Sequence, residues 1–326
     1  MVRQDGYRLR RRGLLAAVGV VLAARAEAQS PARLAWIESG TQSAAVDRLA
    51  SMRAGLKENG LSEKDYVFDV FYADSDYQRF PGLVQQALAR NPALLLVQTI
   101  ASVRAAQQGT KTIPIVFMAT NDPVGAGLID SLARPGGNTT GVATLGDQVV
   151  PKLVDMMHSA LPAVRRVAVL VNPGNPTNRP IFESIRAAAG TVGIEAIAVE
   201  VAQPEAIDGA IASAAKAEAV IVALDAMLVQ IGGRIASLCS DRRMALLGAT
   251  RELADAGGLL SYGPSLDSLI RRSAYFVKRI LAGARPQDLP AEQPTKFELT
   301  INLKTAKAIG VTFPPNVLAL ADDVIE

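Results

Sequence analysis

Short β-rich runs alternate with amphipathic stretches along most of this chain, and that alternation leaves few folds open. "ARLAWIE" (32–38), "YVFDVFYAD" (66–74), "PALLLVQ" (92–98) and "IPIVFM" (113–118) read as strands. Between them, 45–61, 80–91 and 102–109 carry the helical period and stop at glycine or asparagine. A turn-rich interval, "LARPGGNTTGVAT" (132–144), interrupts the pattern, which then restarts. Helices are expected at 150–162, 179–193, 204–217 and 232–243, with strands at 165–172, 194–201, 219–224 and 244–248. After "GGLLSYGP" (257–264) comes a long amphipathic helix. Pro-rich "DLPAEQP" (288–294) reads as a crossover linker, and "PTKFELTINLKTAKAIG" supplies one more strand and helix. Strands joined by helices form right-handed βαβ units on a parallel sheet. The prediction is α/β, with two doubly wound parallel-sheet lobes in succession.

With 326 residues, 49% of them hydrophobic, the chain can fill two cores. One cysteine, Cys239, and one histidine, His158, exclude an internal disulfide, a zinc site of several thiolates, and a histidine pair. The net charge of +3 comes from the first 28 residues, where six arginines face Asp5 and Glu27; the remainder carries −1. No basic footprint for nucleic acid survives. That first segment has a basic stretch ending at Arg12, an apolar run over 13–24, and a small-x-small site at Ala26-Glu27-Ala28. The apolar run falls short of the roughly 20 residues of a spanning helix. It reads as an export signal cleaved after Ala28, through either the general or the twin-arginine route, leaving a soluble periplasmic protein.

In parallel α/β sheets, ligands sit beyond the carboxyl ends of the strands. The residues gathered there are Ser39, Gly40, Thr99, Ser102, Thr120, Asn121 and Thr144 in the first half. The second half adds Asn172, Asn175, Asp225, Thr250 and Tyr262. These are hydroxyls, amides, a glycine and an acid, with no nucleophile–base pair and no metal cluster. "VGAGLID" fails the dinucleotide fingerprint because position 130 is aspartate, and phosphate-loop and Gly-x-Ser-x-Gly patterns are absent. Asp122, before Pro123, reads as turn chemistry, and Asp225 reads as a helix cap or a ligand-facing acid. Hydroxyls and helix N-termini suit a carboxylate, an acid suits an ammonium, and Trp36 or Tyr262 could wall an apolar portion.

"TIPIVFMATNDPVGAGLIDSLARPGGNTTGVATL", "LVNPGNPTN", "AGGLLSYGPS" and "LPAEQPTKFELTINLKTAKAIGVTFPP" resemble the periplasmic substrate-binding proteins of ABC transporters, in the group related to tryptophan- and tyrosine-binding receptors. The resemblance implies a type I periplasmic binding protein fold, a Venus-flytrap of two lobes joined by three crossovers. Lobe 1 would comprise 29–145 plus 263–293, and lobe 2 would comprise 146–262 plus 294–326. It implies a monomer without cofactor or metal that captures a small organic solute, an aromatic or branched amino acid or similar, and delivers it to a membrane permease. Asp225 then stands where the ligand's ammonium is held. Two departures are visible: Glu38 in "WIESGT", and a less aromatic flank in "ALDAML". Rival readings are a periplasmic sensor read by a membrane signalling protein, and an α/β enzyme using Asp122 or Asp225 as base.

Overall fold

The computed structural model describes residues 30–326; the expected export signal lies outside them. Five strands form the first sheet: β1 (Ala32–Glu38), β2 (Tyr66–Tyr72), β3 (Leu94–Val97), β4 (Ile115–Asn121) and β5 (Thr139–Thr144). They lie in the order β2-β1-β3-β4-β5 and are all parallel. Seven strands form the second: β6 (Arg166–Val171), β7 (Glu195–Glu200), β8 (Ala219–Val222), β9 (Ala245–Gly248), β10 (Leu260–Gly263), β11 (Glu298–Asn302) and β12 (Asp323–Ile325). Their order is β12-β11-β10-β9-β8-β6-β7, and only the β10–β11 pair is antiparallel.

The continuous apolar runs have the expected cause: a parallel sheet is covered on both faces. Leu34 and Trp36 of β1 pack on one side with Met52, Leu56, Phe276 and Val277. Ala35 and Ile37 face the other way, toward Phe80, Val84, Val103 and Ala106. β6 splits likewise, Val167 and Val169 to one core and Ala168 and Leu170 to another. Trp36 is fully buried in this core, so it is no cleft wall. Cys239 is buried too, and desolvation pushes its thiol up to about 12.

The helix Leu266–Leu281 covers the first sheet although its neighbours in sequence, β10 and β11, belong to the second. It crosses the helix Val46–Glu58 closely: a Cβ on Gly55 would lie 2.3 Å from the Arg271 carbonyl oxygen. Ser51 bonds to Asp267, and Arg271 pairs with Glu58 at 3.0 Å, beside that contact. The chain therefore passes between the sheets after Thr144, after Gly263 and before Glu298.

Several features depart from the sequence reading. The interval read as turns contains β5, which is fully buried and pairs with β4. β4 runs on to Asn121 through a bulge at Ala119, whose φ is 54°. The short helix Pro315–Leu318 and the edge strand β12 were not anticipated. The linker at 288–294 does more than cross: Glu292 accepts from the Ala143 N–H at 2.7 Å and donates to Gly141 at 2.9 Å, extending the edge of β5. Among the described residues, no helix is long and apolar enough to cross a membrane.

Candidate functional site

The strand ends of the two sheets face each other across a cavity of about 100 Å³. Its first wall carries Gln98, Thr99, Ile100, Met118, Ala119 and Asn121, with Arg48 and Leu266 beside them. Asn175, Thr177, Leu224, Asp225, Ala226 and Val229 form the other.

Asp225 is the centre of the second wall and is 3% exposed. It follows β8 and caps the short helix Ala226–Gln230: Oδ1 accepts the N–H groups of Met227 at 2.9 Å and Leu228 at 3.0 Å. Oδ2 accepts from Asn175 Nδ2 at 2.9 Å, Asn172 Nδ2 at 3.1 Å and the Tyr77 hydroxyl at 3.1 Å. The cap and the cleft-facing acid are thus one residue. Tyr77 reaches it from the first lobe. Burial, reinforced by the Asp225 charge, raises the Tyr77 phenol well above its ordinary 10.0. Gln230 ties the seam further, accepting from Ser75 Oγ at 3.0 Å and donating to Thr41 Oγ1 at 3.0 Å. The lobes are therefore closed on each other.

The strand-end residues sort by where their polar atoms go. Thr99, Asn121, Asn175 and Asp225 line the cavity. Asn172 stands behind Asp225, with its Oδ1 taking the Gly174 N–H at 2.9 Å. Ser102 is buried and its hydroxyl is consumed by a reciprocal cap with Thr99 at the start of the helix Ile100–Gly109. Thr120 points away, donating to the Gln98 carbonyl at 2.6 Å. Thr144 donates to Asn121 Oδ1 at 3.3 Å, and that oxygen also takes the Gly146 N–H at 2.8 Å. Gly40 sits at the seam, where a Cβ would come 3.1 Å from Gln230 Oε1. Ser39 and Thr250 are buried, and the Ser39 hydroxyl has no partner among the described residues. Tyr262 stacks on Phe297 with centroids 6.2 Å apart and is not part of the cavity lining.

Asp122 has a φ of 36° and caps its own turn, accepting the Gly125 N–H at 2.9 Å. Sequence reasoning missed Arg48, Tyr77 and Leu266, which lie on helical segments rather than at strand ends. Among the described residues, no group of three or more His, Cys, Asp or Glu is placed to hold a metal.

The chain is similar to known proteins over most of its length. A tyrosine-binding protein of Clostridioides difficile (strain R20291) is 22% identical over 258 residues, covering 78% of this chain and 74% of that one. The structure of an ABC domain from Streptococcus pneumonia in complex with L-Trp superposes with a TM-score of 0.83 at 22% identity, covering 91% of this chain and all of that one. A conserved domain protein from Vibrio cholerae superposes at 0.84 with 26% identity, over 90% of this chain and all of that one. These likenesses establish the two-lobed type I periplasmic binding protein fold. Residues 41–325 match the ABC transporter substrate binding protein family, and the chain belongs to that family.

Proposed function

We propose that the protein is an exported, monomeric receptor that captures an amino acid between its lobes and hands it to the permease of an ABC transporter in the membrane. The observation that carries this reading is the composition of the cavity. The buried carboxylate of Asp225 lies on one wall and the N-terminus of the helix Ile100–Gly109 on the other, with apolar side chains between. A zwitterion with an apolar side chain complements that set: ammonium toward the acid, carboxylate toward helix N–H groups, side chain toward Ile100, Met118, Leu224, Val229 and Leu266. Those lining groups are aliphatic, which favours a branched side chain. The names of the relatives, a tyrosine-binding protein and an L-Trp complex, support the same ligand class. Sheet membership and packing favour lobes made of 29–145 plus 263–293 and of 146–262 plus 294–326.

Closure would then work by population shift. The ligand contacts both walls only when the lobes are together, so it stabilises the closed form by the difference in its affinity for the two states. A thermal-shift panel of the twenty L-amino acids tests the reading. One or a few apolar members should stabilise the protein, by about 2.7 kcal/mol at a hundred times Kd. Silence across all twenty would sink it.

Tyr77 gives closure a pH dependence. In the open form its phenol is solvated and ionises near its ordinary value of 10.0; in the closed form it stays protonated beyond that. Its contribution is therefore fully present below pH 10 and is lost as pH rises through the closed-state value. Affinity should fall above about pH 10 in the wild type. Tyr77→Phe should bind roughly 5- to 30-fold more weakly at pH 8 and show a flatter profile above about pH 10. Equal affinities for the two proteins at pH 8 would remove Tyr77 from closure.

A further inference from the structure

Among the described residues that line the cavity there is one cation, and a buried acid holds it. Arg48, in the first turn of the helix Val46–Glu58, lines the cavity with its side chain 25% exposed. Its guanidinium is clamped from behind by Glu38, at the end of β1, which is completely buried. Nε donates to Glu38 Oε2 at 3.3 Å and Nη2 to Oε1 at 2.8 Å; that oxygen also takes the Gly40 N–H at 2.9 Å. One edge of the fork is thus fixed on the protein. Nη1 has no hydrogen-bond or ion-pair partner among the described residues.

Holding a buried acid and its partner costs desolvation that an apolar pair of similar volume would avoid. A rigid, pre-oriented guanidinium edge beside the cavity is what the arrangement obtains in return. Guanidinium is the side-chain group best matched to a planar carboxylate. The charges agree. Glu38 offsets Arg48 at contact distance, Glu252 feels the same guanidinium from further away, and Asp225 stands on the opposite wall held by neutral donors alone. A ligand carrying both charges satisfies the two walls at once. We propose that Arg48, positioned by Glu38, shares the ligand's carboxylate with the start of the helix Ile100–Gly109 and makes the cavity selective for free acids over their amides. This rests on the amino-acid reading, deepens it, and gives the Glu38 departure seen in the sequence a purpose.

The probes are leucine and tryptophan, their C-terminal amides, and their deaminated counterparts 4-methylpentanoate and indole-3-propionate, titrated calorimetrically into the full chain. Arg48→Gln alone strands the buried Glu38 charge, so the decisive variant is Glu38→Gln/Arg48→Gln, checked for wild-type circular dichroism, with Arg48→Lys as a second variant that keeps the charge and loses the fork. For the skeleton that binds, the wild type should favour acid over amide at least about thirtyfold. The double variant should reduce that preference to within about threefold, and Arg48→Lys should fall between. An undiminished preference in the double variant and in Arg48→Lys overturns the proposal and leaves the amino-acid reading standing. Deaminated acids that bind the wild type as well as the amino acids do, with a preference lost in the variant, uphold Arg48 and overturn the amino-acid reading. Failure of every acid to bind the wild type overturns both.

Discussion

Asp225→Ala is expected to abolish binding, with affinity down at least a hundredfold, and to destabilise the protein by about 3 kcal/mol. Five donors converge on this carboxylate: two helix N–H groups, two asparagine amides and the Tyr77 hydroxyl. Removing the N-cap alone costs about 1 kcal/mol. The asparagine amides Asn172 and Asn175 sit on residues 4% and 8% exposed, and a buried donor left unpaired costs about 1–3 kcal/mol. Water entering from the adjoining cavity would recover part of this, which is why the sum is not the full total. Asp225→Asn separates the roles. Asparagine caps as well as aspartate, but its amide nitrogen would face two asparagine amides that cannot accept without giving up their own carbonyl bonds to Gly174 and Thr177. Affinity should fall at least tenfold, while only the share of the stability that belongs to the cap, about 1 kcal/mol, returns. Calorimetric titration and urea denaturation measure the two effects, and unchanged affinity in Asp225→Ala would take the residue out of the site.

Gly141→Ala should be the most damaging single methyl in the first sheet. Gly141 lies opposite Phe117 in the β4–β5 register with a φ of 151°, a region that side chains rarely enter. A Cβ there would stand 2.0 Å from the Phe117 carbonyl oxygen and 2.7 Å from its nitrogen. Both are backbone atoms of a central buried strand, so no rotamer can relieve the contact. Backbone strain and overpacking each cost about 1–3 kcal/mol, giving about 3 kcal/mol or more together and a Tm lower by roughly 5–10 °C. A Tm within 2 °C of wild type would mean that β5 can slide aside.

That glycine also explains why β5 was hard to read. Its segment is written in turn residues, Gly136, Gly137, Asn138, Thr139, Thr140 and Gly141, and nothing local distinguishes it from a loop. What makes it a strand is distant: the Thr140 hydroxyl bonds to the Leu289 carbonyl at 2.8 Å, and Glu292 pairs along its outer edge. By contrast β3, β6 and β8 announce themselves, because a strand buried on both faces must be apolar throughout.

The site divides similarly. Asp225 was legible both as a strand-end acid and as a cap, and it is both. Thr120 was misleading because the bulge at Ala119 shifts the alternation by one, giving the cavity Ala119 and Asn121 and turning Thr120 inward. Ser102 was lost to local competition: its hydroxyl satisfies the backbone of its own helix start. Arg48 and Tyr77 carry no signal of their own, since only tertiary packing brings a helix face and a short turn to the cleft.

The placement of the helix Leu266–Leu281 bears on how the protein is made. Leu34, Trp36, Leu94, Leu96 and Val116 share their core with Leu269, Ile270, Phe276 and Val277 of that helix. A growing chain that has completed β5 holds every strand of the first sheet but none of this cover. One face of the sheet must wait with only the helix Val46–Glu58 upon it, its cover half built, while a further 137 residues emerge before Leu281 is in place. The order of synthesis therefore gives the first lobe an apolar nascent surface that folding helpers and misassembled neighbours can both reach, and it closes late, when the chain returns from its partner lobe.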